Sequence, residues 1–290
     1  MLRRDFMHGG LLASTSIMCC GATPAFADNF SVNDMCSTDV GSVVSRIKNQ
    51  SASAADNDED ENDDAEDLAT WQGVARKDLI WRPKDVKRNV DGVMHIAVGF
   101  AHNPGDAFKN KVIQGAQKWM SSGTLKNKVR FVFVGPDEEC EIKVASSESS
   151  GIAEVNISKL GRAARTSGVS ASLDPSRKAT MIVHNTSSIE HEFGHVLGLG
   201  HEHTHPDILK QINMNKAIDL YAQPPNNWSS ARTRRNFSAT PACSGDQDVN
   251  LASVMLYPLP ADITSIGVSL YGFSNIHERD RRCVELLYRV

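Results

Sequence analysis

The spacing of several histidines suits a metal site. Five of the ten histidines lie between residues 191 and 205. His191 and His195 are four residues apart, so a helix would place both imidazoles on one face, one turn apart. Gly198 can end that helix in the left-handed conformation and turn the chain back toward His201. His191, His195 and His201 are therefore the predicted ligands of one ion, with Gly198 as structural support.

The type and number of these ligands indicate which metal they would hold. Three neutral imidazoles and one open position suit a catalytic Zn²⁺, since structural zinc sites use four protein ligands and usually include cysteine. Zinc lowers the pKa of a water molecule held at its open position. Glu192 is placed to take that proton and to return it to a leaving amine. One catalytic Zn²⁺ with Glu192 as general base predicts hydrolysis of a peptide bond.

The alternative explanation is a metal-sequestering tract or a set of incidental surface histidines. A bare H-E-x-x-H arises by chance, but the full H-E-x-x-H-x-x-G-x-x-H present here is far more specific. Its helix is predicted to begin after Ser187, with Ser187 as the N-cap and Glu190 as the capping-box partner. We expect the remaining histidines, His203 and His205, to be solvated loop residues rather than ligands.

Two motifs carry a resemblance to a known family. The stretch from His191 to His201 resembles the signature of the metzincin zinc peptidases. Downstream, the sequence SVMLY at residues 253–257 resembles the methionine turn of that clan, in the form found in its astacin-like branch. The resemblance implies that Met255 packs as an apolar floor beneath the metal. It also implies that Tyr257 reaches the metal or the tetrahedral intermediate.

The resemblance to bacterial astacin-like peptidases extends, more diffusely, over residues 79–290. Glu202 directly follows the third histidine, as in astacins, where the equivalent glutamate contacts the new N-terminus or a nearby polar network. His205 stands where the family has an arginine, so the salt bridge of that arginine is not carried over. The implied fold is α+β and two-lobed. A twisted mixed sheet with the active-site helix forms one lobe, and a helical, loop-rich lobe follows.

The family also implies how a substrate would bind. Substrate lies extended along an edge strand, for which residues 152–157 are the candidate. The apolar loop at residues 258–261 would shape the primed-side pocket and favour an apolar or small side chain. Two other functions share these motifs. One is a catalytically silent binding protein, against which the intact Glu192 argues. The other is a zinc hydrolase of a non-protein amide such as a peptidoglycan cross-link.

Periodicity predicts the elements around the histidine motif. Alternating or continuous apolar runs predict strands at residues 93–100, 129–134, 141–145, 152–157 and 179–184. Apolar positions at helical spacing predict one long helix at residues 106–121 before the motif. After the motif the chain is predicted to be helical and loop-rich, with helices at residues 213–222, 228–237 and 277–288.

The first 27 residues read as an export signal. Arg3-Arg4 precede a weakly apolar stretch, and Ala25-Phe26-Ala27 is a small-residue cleavage site. The arginine pair resembles the twin-arginine type of signal. We therefore expect an exported bacterial protein, periplasmic or extracellular, with a signal peptide at 1–27 and a catalytic domain at 71–290.

Between these two parts lies an acidic segment, residues 28–70. Nine of the twelve residues from Asp56 to Asp67 are acidic, and such a run repels itself and cannot bury apolar surface. It is predicted to be a disordered, solubilising linker. The alternative is a pro-segment that blocks the domain, in which Cys36, Asp39 or the acidic run would approach the metal.

Charge and cysteine content limit the partners and the compartment. Residues 68–290 carry 27 basic and 22 acidic residues, a net charge of +5, without the basic–aromatic array of a nucleic-acid binder. We expect a monomer that binds a protein or peptide substrate, with no nucleic acid and no membrane span. After cleavage four cysteines remain, at residues 36, 140, 243 and 283. They allow three pairings, of which we favour Cys243 with Cys283.

Overall fold

The computed structural model describes residues 75, 79–121, 123–146, 157–158, 161–164, 179–184, 186–224, 226–239, 243, 249–272 and 275–289. The predicted signal peptide, the acidic segment with Cys36, and residues 152–156 of the predicted edge strand lie outside these residues. No helix in the described part of the chain is long and apolar enough to cross a membrane.

Among the residues that the structure describes, six strands form one mixed sheet. Strand β2 pairs antiparallel with β1 and parallel with both β3 and β4. Strand β4 pairs parallel with β6, and β6 pairs antiparallel with β5, which ends the strand order. The bounds are β1 Arg88–Val90, β2 Val93–Phe100, β3 Val129–Phe133, β4 Ile142–Ser146, β5 Ile157–Ser158 and β6 Met181–Val183. Ile157, the last residue of the predicted edge strand, thus belongs to the strand at one end of the sheet.

In the described part of the chain, six α-helices accompany the sheet. The long α1 precedes the histidine motif and α2 carries its first part, whereas the other four follow the motif. Their bounds are α1 Asp106–Met120, α2 Ile189–Val196, α3 Pro206–Leu209, α4 Met214–Tyr221, α5 Ser230–Asn236 and α6 Glu278–Leu287. Every predicted helix is present, with ends that agree within two residues.

Burial follows the periodicity of the sequence. On α1, Val112, Ala116 and Trp119 are buried, which is the spacing of one helical face. On β2 the last residues before Phe100 are almost continuously buried, as expected for a strand with neighbours on both edges and helices over its face. These patterns confirm the predicted α+β class.

The apolar core has two main parts. The larger joins the sheet, α1 and α2 to Met255 and the apolar face of α6. The smaller lies among residues 208–270, around Ile208, Leu259 and Ile263. We call residues 79–184 the sheet region and residues 202–289 the C-terminal region. Helix α2, residues 189–196, lies between them in the sequence.

A disulfide links two distant parts of the C-terminal region. Cys243 and Cys283 are bonded, with their Cα atoms 5.6 Å apart and a separation of 40 positions in the sequence. This is the pairing favoured from the sequence. Cys283 lies on α6, so the bond attaches that helix to Cys243 earlier in the chain. Cys140 lies just before β4 in the sheet region, and its partial burial raises the pKa of its thiol.

Candidate metal centre

The start of helix α2 differs from the sequence-based expectation. A 3₁₀ turn at Thr186–Ser188 leads directly into the helix, so Ser187 is inside that turn and is not the N-cap. Glu190 is likewise not a capping-box partner. It pairs with Lys118 of α1, and its carbonyl accepts a hydrogen bond from Trp119 Nε1 at 2.9 Å. Contacts to α1, rather than a local cap, therefore anchor this end of the helix.

The other end of α2 closes as a Schellman motif. Gly198, at φ 96°, has the left-handed conformation expected for it. Its N–H donates to the carbonyl of His195 at 2.8 Å, and the N–H of Leu199 donates to the carbonyl of Gly194 at 3.0 Å. The chain thereby reverses direction within two residues of the helix and carries His201 back toward the first two ligands.

Two distant aromatic residues complete the cap of α2. Trp81 Nε1 donates to the carbonyl of Val196 at 2.8 Å, and the hydroxyl of Tyr288 donates to the carbonyl of Leu197 at 3.2 Å. The last carbonyls of a helix have no partner inside it. Trp81 and Tyr288 are more than 200 positions apart in the sequence, yet both side chains satisfy such carbonyls in the buried interior.

The three predicted ligands converge. His201 Nε2 lies 3.2 Å from His191 Nε2 and 3.2 Å from His195 Nε2. Their ligand atoms all lie within 4.8 Å of one another, and His191 and His195 are buried. Among the described residues, this is the only group of three or more histidines, cysteines or carboxylates close enough to hold a metal ion.

Backbone carbonyls fix the tautomers of two ligands. His191 Nδ1 lies 2.8 Å from the carbonyl oxygen of Val254, and His195 Nδ1 lies 2.8 Å from that of Leu199. A carbonyl oxygen can only accept, so each Nδ1 carries the proton and each Nε2 keeps its lone pair. Such outer contacts commonly orient histidines that bind metals.

Burial keeps these imidazoles neutral. Burial, with a smaller contribution from the adjacent His191, lowers the pKa of His195 to about 3. Burial likewise lowers the pKa of His191, and it lowers that of His201 well below its ordinary value, with the neighbouring histidines adding to the effect. Neutral imidazole is the form that binds a metal, so the donor set fits Zn²⁺ with a position left for another ligand.

Glu192 is buried beside these ligands, with 2% of its surface exposed. Its Oε2 has no hydrogen-bond partner in the described part of the chain. Burial raises the pKa of this carboxyl group to about 8. Buried polar atoms are normally satisfied, so an unpartnered carboxylate oxygen next to three convergent histidines fits a site that takes up water or a polar substrate.

Met255 packs directly against helix α2. A Cβ atom placed on Gly194 would lie 2.4 Å from Met255 Sδ and 3.1 Å from Trp119 Cζ2. Only glycine therefore permits this approach of α2 to α1 and to the methionine turn. Met255 itself is buried, with 2% of its surface exposed.

His203 and His205 correct the expectation that both would be solvated. Both are buried, at 4% exposure each. His203 Nε2 bonds the carbonyl of Asn236 at 3.0 Å, and its ring centroid lies 5.5 Å from that of Tyr257. His205 Nδ1 accepts the N–H of Asp207 at the start of α3. Residues of α5 and of the methionine turn, which come later in the chain, pack over this loop. The local sequence does not indicate these contacts.

Tyr257 lies beside the third predicted ligand. Its ring centroid is 5.8 Å from that of His201, at an angle of 62°. The ring is partly buried and packs against the smaller core cluster. The structure thus places Tyr257 next to the third of the converging histidines.

A polar network that sequence reasoning missed supports the methionine turn. Glu202 Oε1 accepts the N–H of Asn250 at 2.7 Å, and the N–H of Glu202 donates to the carbonyl of Met255 at 2.9 Å. Asn250 Nδ2 and Ser253 Oγ both donate to Asp280, at 3.1 and 2.7 Å. Glu202 therefore lies in a polar network, one of the environments that the resemblance implied. The only feature that the sequence offered for Asp280 was its position as a carboxylate in the first turn of a predicted helix.

Comparison with known proteins gives a likeness of fold. No family model and no curated protein matches the chain. A solved structure of myroilysin aligns with a TM-score of 0.58 and 24% identity, over 75% of this chain and 99% of that one. This chain therefore has the fold of myroilysin. A hatching enzyme zinc-protease from Oryzias latipes (Medaka fish) also aligns, at 17% identity and a TM-score of 0.47, over 72% of this chain and 96% of that one.

The likeness agrees with the mixed sheet and the accompanying helices described above. The α+β fold class expected from the sequence is therefore confirmed. At this level of identity the likeness concerns the fold alone.

Proposed function

We propose that this protein is an exported zinc-dependent endopeptidase that hydrolyses peptide bonds. The observation that carries the proposal is the meeting of His191, His195 and His201 Nε2 atoms next to the unpartnered carboxylate oxygen of Glu192. A metal-sequestering tract has no need of a buried carboxylate. A structural zinc site would use a fourth protein ligand.

In this proposal the three histidines hold the ion through their Nε2 atoms. Val254 and Leu199 accept the Nδ1 protons of two of them, so each Nε2 lone pair points into the site. A zinc ion held there supplies Lewis acidity, which polarises the scissile carbonyl and makes a water molecule acidic near neutral pH. Because the imidazoles are neutral when buried, no proton has to leave them before the ion binds.

Glu192 moves the proton. Its Oε2 accepts a proton from the attacking water, and the protonated carboxyl group then donates it to the amine that leaves. Burial stabilises the protonated form, with a pKa of about 8 in the metal-free protein. A bound cation would lower that value and restore the carboxylate that acts as base.

Other residues would act on the substrate. Tyr257, next to His201, is proposed to donate its phenol proton in a hydrogen bond to the oxyanion that develops in the transition state. Strand β5 is proposed to pair with an extended substrate, since it ends the strand order and runs antiparallel to β6. The loop at residues 258–261 is proposed to line the primed-side pocket.

The proposed organisation keeps the three segments expected from the sequence. Residues 1–27 would direct export and residues 28–70 would form an acidic linker or an inhibitory segment before a catalytic domain at 71–290. Ala75, just after that segment, forms an isolated antiparallel bridge with Leu199 beside the second ligand. Protein beginning at residue 28 and protein beginning at residue 71 should therefore be compared. A higher kcat/KM in the shorter form supports inhibition, whereas equal values support a linker.

The decisive test of the proposed reaction compares two glutamates of helix α2. Glu192→Gln should bind zinc but lose about 10²–10⁴-fold in kcat on a peptide library, because the general base is gone. Glu190→Gln is the matched control, since Glu190 is equally a buried carboxylate but pairs with Lys118. It should retain activity within a few-fold.

Three outcomes separate the proposed function from the alternatives. Cleavage of peptides that a chelator stops and Glu192→Gln abolishes supports an endopeptidase. Zinc binding with cleavage of peptidoglycan fragments only would indicate a hydrolase of a non-protein amide. Zinc binding without cleavage of either substrate, from residue 28 or from residue 71, would indicate a binding protein.

A further inference from the structure

A buried carboxylate on α6 makes an unusual number of hydrogen bonds. Asp280 is 5% exposed. Its Oδ1 accepts from Ser253 Oγ at 2.7 Å and Asn250 Nδ2 at 3.1 Å. Its Oδ2 accepts from the N–H groups of Val254 and His277, at 3.0 Å each. Four donors on one carboxylate offset the cost of burying its charge.

Three of these donors belong to the segment that leads into the methionine turn. Ser253 Oγ also accepts the N–H of Met255 at 2.9 Å. Asp280 therefore holds Asn250, Ser253 and Val254 directly and Met255 through one hydroxyl group. Its fourth bond, to His277, fixes the start of its own helix.

The same segment touches the metal centre. The carbonyl of Val254 accepts the Nδ1 proton of His191 at 2.8 Å. The N–H of the same residue donates to Asp280. A continuous path of two hydrogen bonds therefore links the carboxylate on α6 to a predicted metal ligand.

We propose that Asp280 is a positioning residue for the metal centre. It fixes the Val254 peptide groups and thereby sets the orientation and tautomer of His191. The proposal rests on the proposed function only in taking the three histidines as a zinc site. It assigns Asp280 no contact with substrate or with the reacting atoms.

The sheet region contains a matched control. Glu141 is also a buried carboxylate, 6% exposed, that accepts two backbone N–H groups, from Lys87 at 2.9 Å and Ala97 at 2.7 Å. It holds β2 near the start of β4, and no hydrogen bond of Glu141 leads to a predicted ligand. Loss of either carboxylate should destabilise the fold, but only loss of Asp280 should change the metal site.

The experiment measures zinc affinity separately from stability. Asp280→Asn replaces one acceptor oxygen with an NH₂ group that cannot accept from Val254 or His277. Competition between the folded protein and a chelator should show zinc binding weakened by about 10–100-fold, the usual cost of losing an outer contact of a metal ligand. Glu141→Gln should bind zinc like the wild type, although both variants should have a lower Tm.

A milder variant keeps the test sound if Asp280→Asn does not fold. Ser253→Ala removes one of the four donors and leaves the Val254 contact, so it should weaken zinc binding by less than ten-fold while remaining folded. Replacing zinc with Co²⁺ adds a readout of geometry. The visible absorption of the cobalt protein should change in the Asp280 and Ser253 variants and stay unchanged in Glu141→Gln.

Two results would overturn the proposal. One is wild-type zinc affinity and an unchanged cobalt spectrum in folded Asp280→Asn, or in Ser253→Ala if that variant alone folds. The other is an equal loss of affinity in Glu141→Gln, which would make the effect a general consequence of instability. Because the readout is metal binding, a protein that binds zinc but cuts no peptide would refute the proposed function and leave this inference intact.

Discussion

The sheet region and the C-terminal region are stabilised in different ways. In the sheet region, backbone ladders along β2, β4 and β6 bind the strands, and an apolar face of α1 covers them. In the C-terminal region the helices are short, and side chains such as Asp280, Glu202 and Ser253 bind backbone groups that no ladder satisfies. One disulfide adds a covalent link there.

The proposed metal centre lies where these two kinds of structure meet. Helix α2 packs against α1 of the sheet region through Trp119, and against the C-terminal region through Met255. Of its two predicted ligands, His191 is oriented by the C-terminal region and His195 by the C-terminal turn of α2 itself. A ladder tolerates the change of one side chain better than a network does. We therefore expect perturbations of the C-terminal region to have the larger effects.

Removal of the disulfide should have the largest effect on stability. The bond closes a loop of 40 residues, for which the chain-entropy relation gives about 4 kcal/mol. The double variant Cys243→Ser, Cys283→Ser should therefore lose most of that free energy of unfolding, measured by denaturant titration of the oxidised protein. Cys140→Ser, in the sheet region, should change it by less than about 1 kcal/mol. Equal losses would contradict the contrast between the regions.

Acidification should loosen the metal-free site. Four buried or half-buried histidines, His191, His195, His201 and His203, have lower pKa values in the folded state. The unfolded chain therefore binds more protons below pH 6.5, and stability falls as the pH falls. Glu192 acts in the opposite direction, since its raised pKa removes stability as the pH rises from about 4.5 toward 8. Four groups outweigh one, and we expect a net loss of roughly 3–4 kcal/mol between pH 7 and pH 5.

Thermal or denaturant unfolding of the metal-free protein at several pH values checks this expectation. Glu192→Gln removes the opposing group, so its stability should fall more steeply over the same range. Stability that is flat or rises on acidification would show that the histidines are not buried as neutral groups.

Gly194→Ala should have a smaller effect, at the contact between the regions. The new methyl group would overlap Met255 Sδ, and overpacking of this kind costs about 1–3 kcal/mol. Because the helix must move, kcat/KM should fall more than stability alone explains. Gly105→Ala is the control, since a Cβ there meets nothing within 4 Å. A stable, fully active Gly194→Ala would show that the methionine turn moves freely.

The sequence predicted the sheet region and the ligand helix well because their signals are local. The period and composition of the sequence predict strand β2 and helix α1, and Gly198 predicts both the C-terminal end of α2 and the return of the chain to His201. The fold class followed from two motifs alone. The metal ligands could be proposed because four-residue spacing on a helix fixes their geometry.

The remaining features depend on contacts between residues that are far apart in the chain. Tyr288 binds Leu197 across 91 residues, and Trp81 binds Val196 across 115. No local pattern encodes such partners, and for the same reason Ser187 was misjudged as a cap. His203 gave no sign of burial, because the residues that cover it come from α5 and the methionine turn.

The two hydrogen bonds that orient His191 and His195 end on main-chain oxygens, of Val254 and Leu199. Every amino acid has that oxygen, so substitution at either position leaves the acceptor in place as long as the backbone keeps its path. Substitution of these two side chains should therefore leave unchanged which imidazole nitrogen faces the proposed metal site. We expect the constraint to fall instead on the few residues that fix the path, among them Gly198 and, by our proposal, Asp280.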